Sequence, residues 1–263
     1  MTKSFSSATV LLEVDGAIAR VTLDRPQSLN AITTELAQDF LAAMRTIENT
    51  PSVRAVLISG QGRAFCAGGD LGSLAGADEQ QIRALIDPLH EAITLMTQLP
   101  APVVCSVHGV VAGAGVSLAM ACDFVLAAQG TRFNLAYTGI ATSPDASASW
   151  HLPRLVGLRK SLELLLLNEP FDADQALHLG LVNKVLPTDA LDDACNALLE
   201  RLATAPTVAL GQTKQLVRAA VDRTLQEQLD AERESFCHCA SSRDFANGIS
   251  AFLNRSKPLF VGA

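Results

Sequence analysis

Apolar and polar residues recur along this chain with two periods, and those periods locate its elements. Residues 10–14 and 17–23 are rich in β-branched and aliphatic side chains and flank Asp15-Gly16, a pattern that predicts a β-hairpin. Leu36, Phe40, Met44 and Ile47 follow at helical spacing behind Thr33 and Thr34. Either threonine can cap a helix running to about Glu48. RAVLIS at 54–59 reads as a buried strand, and the glycine-rich QGRAFCAGGDLGSLAGAD after it as a long loop. Across 78–98, Ile82, Leu85, Ile86, Leu89, Ile93 and Met96 trace one face of a second helix, which ends at Pro100 and Pro102. Val103–Val107 predicts a strand, GVVAGAG a glycine-punctuated turn, 116–121 a helix and Phe124–Ala128 a further strand. Such alternation specifies an α/β layer architecture.

From about Asp189 only helical patterns remain, with breaks at Pro206 and near Ser241 and Ser242. Much of the charge in 208–235 falls on one side, and a last helix runs from Asp244 to about Asn254. The chain thus divides into a β/α core at 1–188 and a helical region at 189–263. A layer this thin buries little core of its own and is expected to pack on a neighbouring subunit.

Composition narrows the partners. The 263 residues are 49% hydrophobic and 18% charged, with a net charge of −7; no apolar run approaches the roughly 18 residues of a membrane span. Without a basic run, nucleic acid and anionic membranes are not expected as partners, and an anionic ligand must rely on a few local cations and backbone amides. The start, MTKSFSSATVLLEV, has neither a signal core nor a transit pattern, so a cytoplasmic location is expected. Six cysteines without CxxC spacing read as buried free thiols. Cys237, His238 and Cys239 do not form a metal site, because the two thiols lie about 200° apart on a helix.

Chemistry concentrates in two glycine-rich turns, after Ser59 and after Val107, each leading into a helix whose first amides have no partner and suit a developing oxyanion. The second turn is not a dinucleotide fingerprint, since GxGxxL lacks the third glycine, nor a hydrolase elbow, since Ser117 lacks the closing glycine of GxSxG.

AFCAGGDL at 64–71, PVVCSVHGVVAGAGVSLAMACD at 102–123, LPRLVG at 152–157, DADQALHLGLVNKVLP at 172–187 and ISAFLNRSKPLF at 249–260 together resemble the crotonase, or enoyl-CoA hydratase/isomerase, superfamily. The resemblance implies a spiral of ββα repeats with a helical C-terminal trimerisation region, as a homotrimer or a dimer of trimers. It also implies an acyl-CoA thioester substrate, with coenzyme A entering as part of that substrate and no separate cofactor or metal. By family position the oxyanion amides are those of Gly69 and Ala114. Arg25 and Lys257 are the cations expected at the coenzyme phosphates, Lys257 at a neighbouring subunit's site. Ala31 and Ala67 line the adenine end, and Asp70 and Leu71 follow the first donor, with Asp70 equally suited to cap the next helix.

The acid and base decide the reaction. The two hydratase glutamates would fall at Ser117 and Tyr137, which cannot activate water. Asp145, in TSPDASASW, stands where several isomerases of the superfamily carry an acid, and the segment is similar to the phenylacetate-pathway isomerase branch. One carboxylate suffices for a 1,3 proton shift. A helix cap is the structural alternative for Asp145. His90 together with Asp145 also resembles the 4-chlorobenzoyl-CoA dehalogenases, in which the aspartate attacks and the histidine activates water, although Tyr137 and Gly69 replace their aromatic clamp. Tyr137 is within reach of Asp145 in this reading. His108 is expected to orient backbone, and His151 to face either Asp145 or solvent. A scaffold that has lost catalysis is the alternative of another class.

Overall fold

The structure, a computed structural model, describes residues 3–263; the first two residues of the start read above as leaderless lie outside them. β1 (Lys3–Ser6), which the pattern did not announce, pairs antiparallel with β2 (Val10–Asp15). β2 and β3 (Ile18–Leu23) form the expected hairpin, with Gly16 at φ 58 in the turn. α1 (Thr34–Glu48) is capped by the Thr33 hydroxyl, which accepts from the Leu36 N–H, and buries Leu36, Phe40, Met44 and Ile47. β4 (Ala55–Gly60) runs parallel to β3. The loop behind it contains one short helix, α2 (Leu71–Leu74), before α3 (Glu79–Gln98), whose start is closed by a reciprocal Asp78–Gln81 capping box.

β5 (Val103–Val107) leads into β6 (Val110–Ala112), a strand inside what the glycines had marked as a turn only, then α4 (Ala114–Ala121), β7 (Phe124–Ala128) and β8 (Arg132–Asn134). The remainder is α5 (Ala148–Leu167), β9 (Phe171–Asp172), α6 (Ala173–His178), β10 (Lys184–Leu186), α7 (Leu191–Ala203), α8 (Thr207–Ala219), α9 (Leu225–Ala240) and α10 (Arg243–Leu253). The 208–235 stretch is therefore two helices, separated by a 3-10 turn and by Thr224, which caps α9.

A main sheet of order β1-β2-β3-β4-β5-β7-β10 is parallel from β3 onward, and a small sheet of order β6-β8-β9 lies beside it. β5, β6, α4 and then β7, β8, α5 are successive turns of one spiral. Cys66, bridged to Val111, plays the part of β6 in the turn before. Both faces of the main sheet are covered, which is why β4 and β5 read as continuous apolar runs. Val56, Ile58, Val103 and Cys105 join the large core with α1 and α3, while Ala55, Leu57, Val104 and Leu126 join a second core with Leu191, Cys195 and Leu199 of α7. The first helix beyond residue 188 thus packs on its own sheet. α8 to α10 leave Val217, Leu225, Phe236, Phe252 and Leu253 exposed. Among the described residues no helix is long and apolar enough to cross a membrane.

Candidate active site

The two glycine turns are pressed together by parallel bridges. Cys66 N donates to Val110 O (3.3 Å) and Ala112 N to Cys66 O (2.9 Å), while Ile32 N donates to Gly68 O (2.7 Å) and Asp70 N to Ile32 O (2.9 Å). Because the bonds to Ile32 flank Gly69, the Gly69 N–H is turned away from Ile32. Gly68 sits at φ 93, and a Cβ there would fall 2.9 Å from Ala112 O; one on Gly115 would fall 2.4 Å from Cys66 O. Close approach of backbone to backbone is what demands glycine at these two positions. Ala114 is the first residue of α4, so its N–H has no partner within the helix. Among the described residues neither the Gly69 nor the Ala114 N–H donates to a protein group. Both residues line one cavity of about 350 Å³. Two free donors, one at a helix start, suit an oxygen that gains negative charge.

Asp145 lines the same cavity, on a loop whose backbone is held in an unfavourable shape. Ala136, Ala141, Ala146 and Ser147 have φ between 50 and 71, each costing about 1–3 kcal/mol unless the surroundings enforce it. One enforcing contact is Tyr137, whose Oη donates to the Asp145 carbonyl (3.0 Å). With that hydrogen spent on the carbonyl, the 2.7 Å contact between Ser117 Oγ and Tyr137 Oη draws on the single serine hydrogen, which also faces Gly113 O at 3.3 Å. Burial pushes the Tyr137 phenol well above its ordinary value, so it stays a donor. The tyrosine therefore holds the backbone of Asp145, and the carboxylate is engaged elsewhere: Oδ1 lies 2.5 Å from Nε2 of His90 on α3. The carboxylate is 25% exposed and the imidazole 49%. The capping alternative for Asp145 is corrected: the N-cap residue of α5 is Ser147, the helix has no side-chain cap, and the Asp145 carboxylate meets His90 instead.

Gly69, Ala114, Ala67, Leu71, Tyr137 and Asp145 are thus gathered around one cavity, with His90 attached through Asp145. Arg25, Ala31 and Asp70 form a separate cluster, in which the Arg25 guanidinium donates to Ala31 O and lies 3.2 Å from Asp70 Oδ2. Asp70 also caps α2 through Ser73 N. Burial disfavours its charged form, but the Ser73 N–H and Arg25 outweigh that and hold its carboxyl below the usual range. Lys257 is exposed beyond α10 and does not line the cavity.

Of the other histidines, His108 Nε2 bonds to Gly62 O at 2.8 Å. His151 faces neither Asp145 nor solvent: it is buried, with Nδ1 2.9 Å from Ser147 Oγ and Nε2 3.3 Å from Arg218. Four cysteines are buried, Cys239 is half-buried and Cys237 is exposed, so the thiols are not uniformly interior. Burial pushes the Cys66 thiol up to about 12, which keeps it protonated beside the cavity. The sequence reading missed Ile32, Leu74 and Ile140 in the cavity wall, and it took Ile82, Leu85, Ile86 and Leu89 for core alone. Their helical stripe was visible, but nothing in a periodicity distinguishes a stripe that faces core from one that also faces a cavity.

The sequence profile of the enoyl-CoA hydratase/isomerase family matches residues 13–263. This chain belongs to that family. It is 34% identical over 260 residues to the 1,2-epoxyphenylacetyl-CoA isomerase of Escherichia coli (strain K12), covering 96% of this chain and 98% of the relative. To the short-chain-enoyl-CoA hydratase of Clostridium acetobutylicum it is 29% identical, with 94% and 95% covered. The crystal structure of an enoyl-CoA hydratase from Polaromonas sp. JS666 superposes with a TM-score of 0.89 at 34% identity, covering 98% of this chain and 99% of that one. The fold is the crotonase fold, and the protein is a crotonase-type acyl-CoA enzyme. Relatives named for isomerisation and for hydration both match, so the reaction must be argued from the side chains.

Proposed function

We propose that this enzyme moves a carbon–carbon double bond along an enoyl-CoA thioester by a 1,3 proton shift. Asp145 is the acid and base, and the Gly69 and Ala114 amides stabilise the dienolate. The observation that carries this reading is that Asp145 is the only carboxylate among the described residues lining the cavity of the two free amides. The carboxylate takes a proton from C2 of a 3-enoyl thioester, charge moves onto the thioester oxygen, and the proton returns at C4. Loss of one amide donor would cost about 3–4 kcal/mol of transition-state stabilisation. Water addition in the hydratase manner would need acid groups where Ser117 and Tyr137 instead bond to one another. In this reading Arg25, Ala31, Ala67, Asp70, Leu71 and Lys257 serve the carrier end, and the exposed apolar residues of α8 to α10 join copies of the chain into trimers or pairs of trimers.

One contact favours a second reading. His90 on the Asp145 carboxylate is the pairing that nucleophilic aspartate chemistry followed by histidine-activated hydrolysis would use. Incubation with 3-enoyl-, 2-enoyl- and 4-halobenzoyl-CoA separates the two. The proposal expects interconversion of the first two and no halide from the third; halide release without double-bond migration would replace it with the hydrolytic reading.

A further inference from the structure

We propose that His151 of α5 and, behind it, Arg218 of the C-terminal helix α8 are positioning residues that clamp the backbone beneath Asp145. This inference rests on the reading of Asp145 as the acid and base. Directly after Asp145 the chain passes through two successive left-handed residues, Ala146 (φ 50) and Ser147 (φ 71), neither of them glycine. Such a pair persists only where surrounding contacts enforce it. Ala146 is fully buried, and Ser147 is fastened on three sides. Its carbonyl accepts from Trp150 N and His151 N, each at 3.0 Å, and its hydroxyl is 2.9 Å from His151 Nδ1.

The hydrogen on this imidazole can be placed by elimination. Arg218 lies 3.3 Å from His151 Nε2 and has only donors, so Nε2 accepts and the hydrogen sits on Nδ1, pointed at Ser147 Oγ. Burial, with Arg218 and Arg154 nearby, pushes the imidazole down to about 4, which keeps it neutral and able to accept. Arg218 is itself immobilised. Its guanidinium donates to Ala121 O and to Asp123 Oδ1, both at 2.9 Å, and Asp123 is held in turn by Val103 N (2.8 Å) and by Lys214 (2.7 Å). A continuous set of short polar contacts therefore runs from α8, through the start of the main sheet's β5 and the end of α4, to the residue two places after Asp145. His151 does not line the Asp145 cavity, so it acts through Ser147 and not on substrate.

The test is steady-state kinetics on a 3-enoyl-CoA together with thermal unfolding and crystal structures of His151→Leu, His151→Asn and Arg218→Gln. An asparagine amide can replace Nδ1–H as donor to Ser147 Oγ; leucine cannot. His151→Leu and Arg218→Gln should each lower kcat 10- to 100-fold with KM within twofold of the parent, His151→Asn should stay within threefold, and the Leu/Gln double variant should be no slower than His151→Leu alone. In the His151→Leu crystal structure Ser147 should leave the left-handed region and Asp145 should part from His90. Normal kcat in His151→Leu, equal impairment of the Leu and Asn variants, or an unmoved Ser147 would overturn the proposal. If the parent moves no double bond, the reading of Asp145 fails instead, and the Ser147 geometry in the crystal structures still decides the clamp; should His151→Leu not fold, Ser147→Ala, which removes the same hydrogen bond, takes its place in every comparison.

Discussion

Adding one methyl group where the two glycine turns meet should separate the stability of this protein from its activity. In Gly115→Ala the new Cβ would sit 2.4 Å from Cys66 O and 2.8 Å from Cys66 Cβ, against an ordinary contact of about 3.4 Å, so something must retreat by about 1 Å. Cys66 cannot retreat freely, because its carbonyl accepts from Ala112 N at 2.9 Å and its side chain is fully buried. The start of α4 moves instead, and Ala114, one of the two free donors, is the adjoining residue. A misplacement of about 1 Å costs up to about 100-fold in rate, the lower end of the roughly 10²–10³ for losing a donor outright. Overpacking costs about 1–3 kcal/mol, offset by about 1 kcal/mol from alanine replacing glycine in a helix, which for a chain of this size leaves Tm no more than about 8 °C lower. The assay is the initial rate of appearance of the conjugated 2-enoyl thioester from a 3-enoyl-CoA, with Tm measured in parallel. Gly130→Ala is the control: at φ 80 with nothing within 4 Å of its Cβ, it costs backbone strain and leaves the rate alone. A Gly115→Ala enzyme within threefold of the parent kcat would refute the reasoning.

Further outcomes follow from the same geometry. Tyr137→Phe removes one of the two donors to the Asp145 carbonyl, leaving Ala148 N, and leaves Ser117 only its 3.3 Å contact with Gly113 O, so unfolding free energy should fall by about 0.5–1.5 kcal/mol and kcat should drop; denaturant unfolding and kinetics check both. His90→Ala should leave double-bond migration within about tenfold of the parent, whereas loss as severe as that from removing Asp145 would make the histidine part of the acid–base machinery. The His151 imidazole titrates near 4 in the folded protein, below its ordinary 6.5, because of burial and the nearby Arg218 and Arg154, with Asp123 opposing. Between those values the unfolded chain binds the proton and the folded one does not. Stability is therefore intact above about 6.5 and falls as pH drops toward 4, by up to about 3 kcal/mol. Denaturant unfolding of His151→Asn across this window should show a shallower pH slope than the parent.

The elements legible in the sequence were those whose signal is local. Asp15-Gly16 between two β-rich runs and Thr33 before a helical stripe each carry their own start or turn chemistry, and each formed as read; the apolar stripe of 78–98 likewise became α3, though its Asp78–Gln81 cap went unread. β6, β8 and β9 are two or three residues long and exist because neighbouring turns of the spiral pair with them, which no window along the chain can register. α5 hid behind Pro153 and a non-helical Gly157. In the site, the glycine turns and Asp145 stood out through residue type and family position. The contact between His90 and Asp145 spans 55 residues and required the packing of α3. Tyr137 was expected near Asp145, yet it meets the carbonyl and leaves the carboxylate to His90, with Ser117 on α4 helping to fix where the phenol points. His151 was read as open between two surroundings, and its partner, Arg218, lies in the region that a helix-only pattern had set apart.

The most direct test is to follow a 3-enoyl-CoA to its 2-enoyl isomer with the parent enzyme and with Asp145→Asn side by side, at equal occupancy of the coenzyme A thioester. The account predicts steady migration by the parent and a rate at least about 100-fold lower in the asparagine variant. Migration at the same rate in both would contradict it.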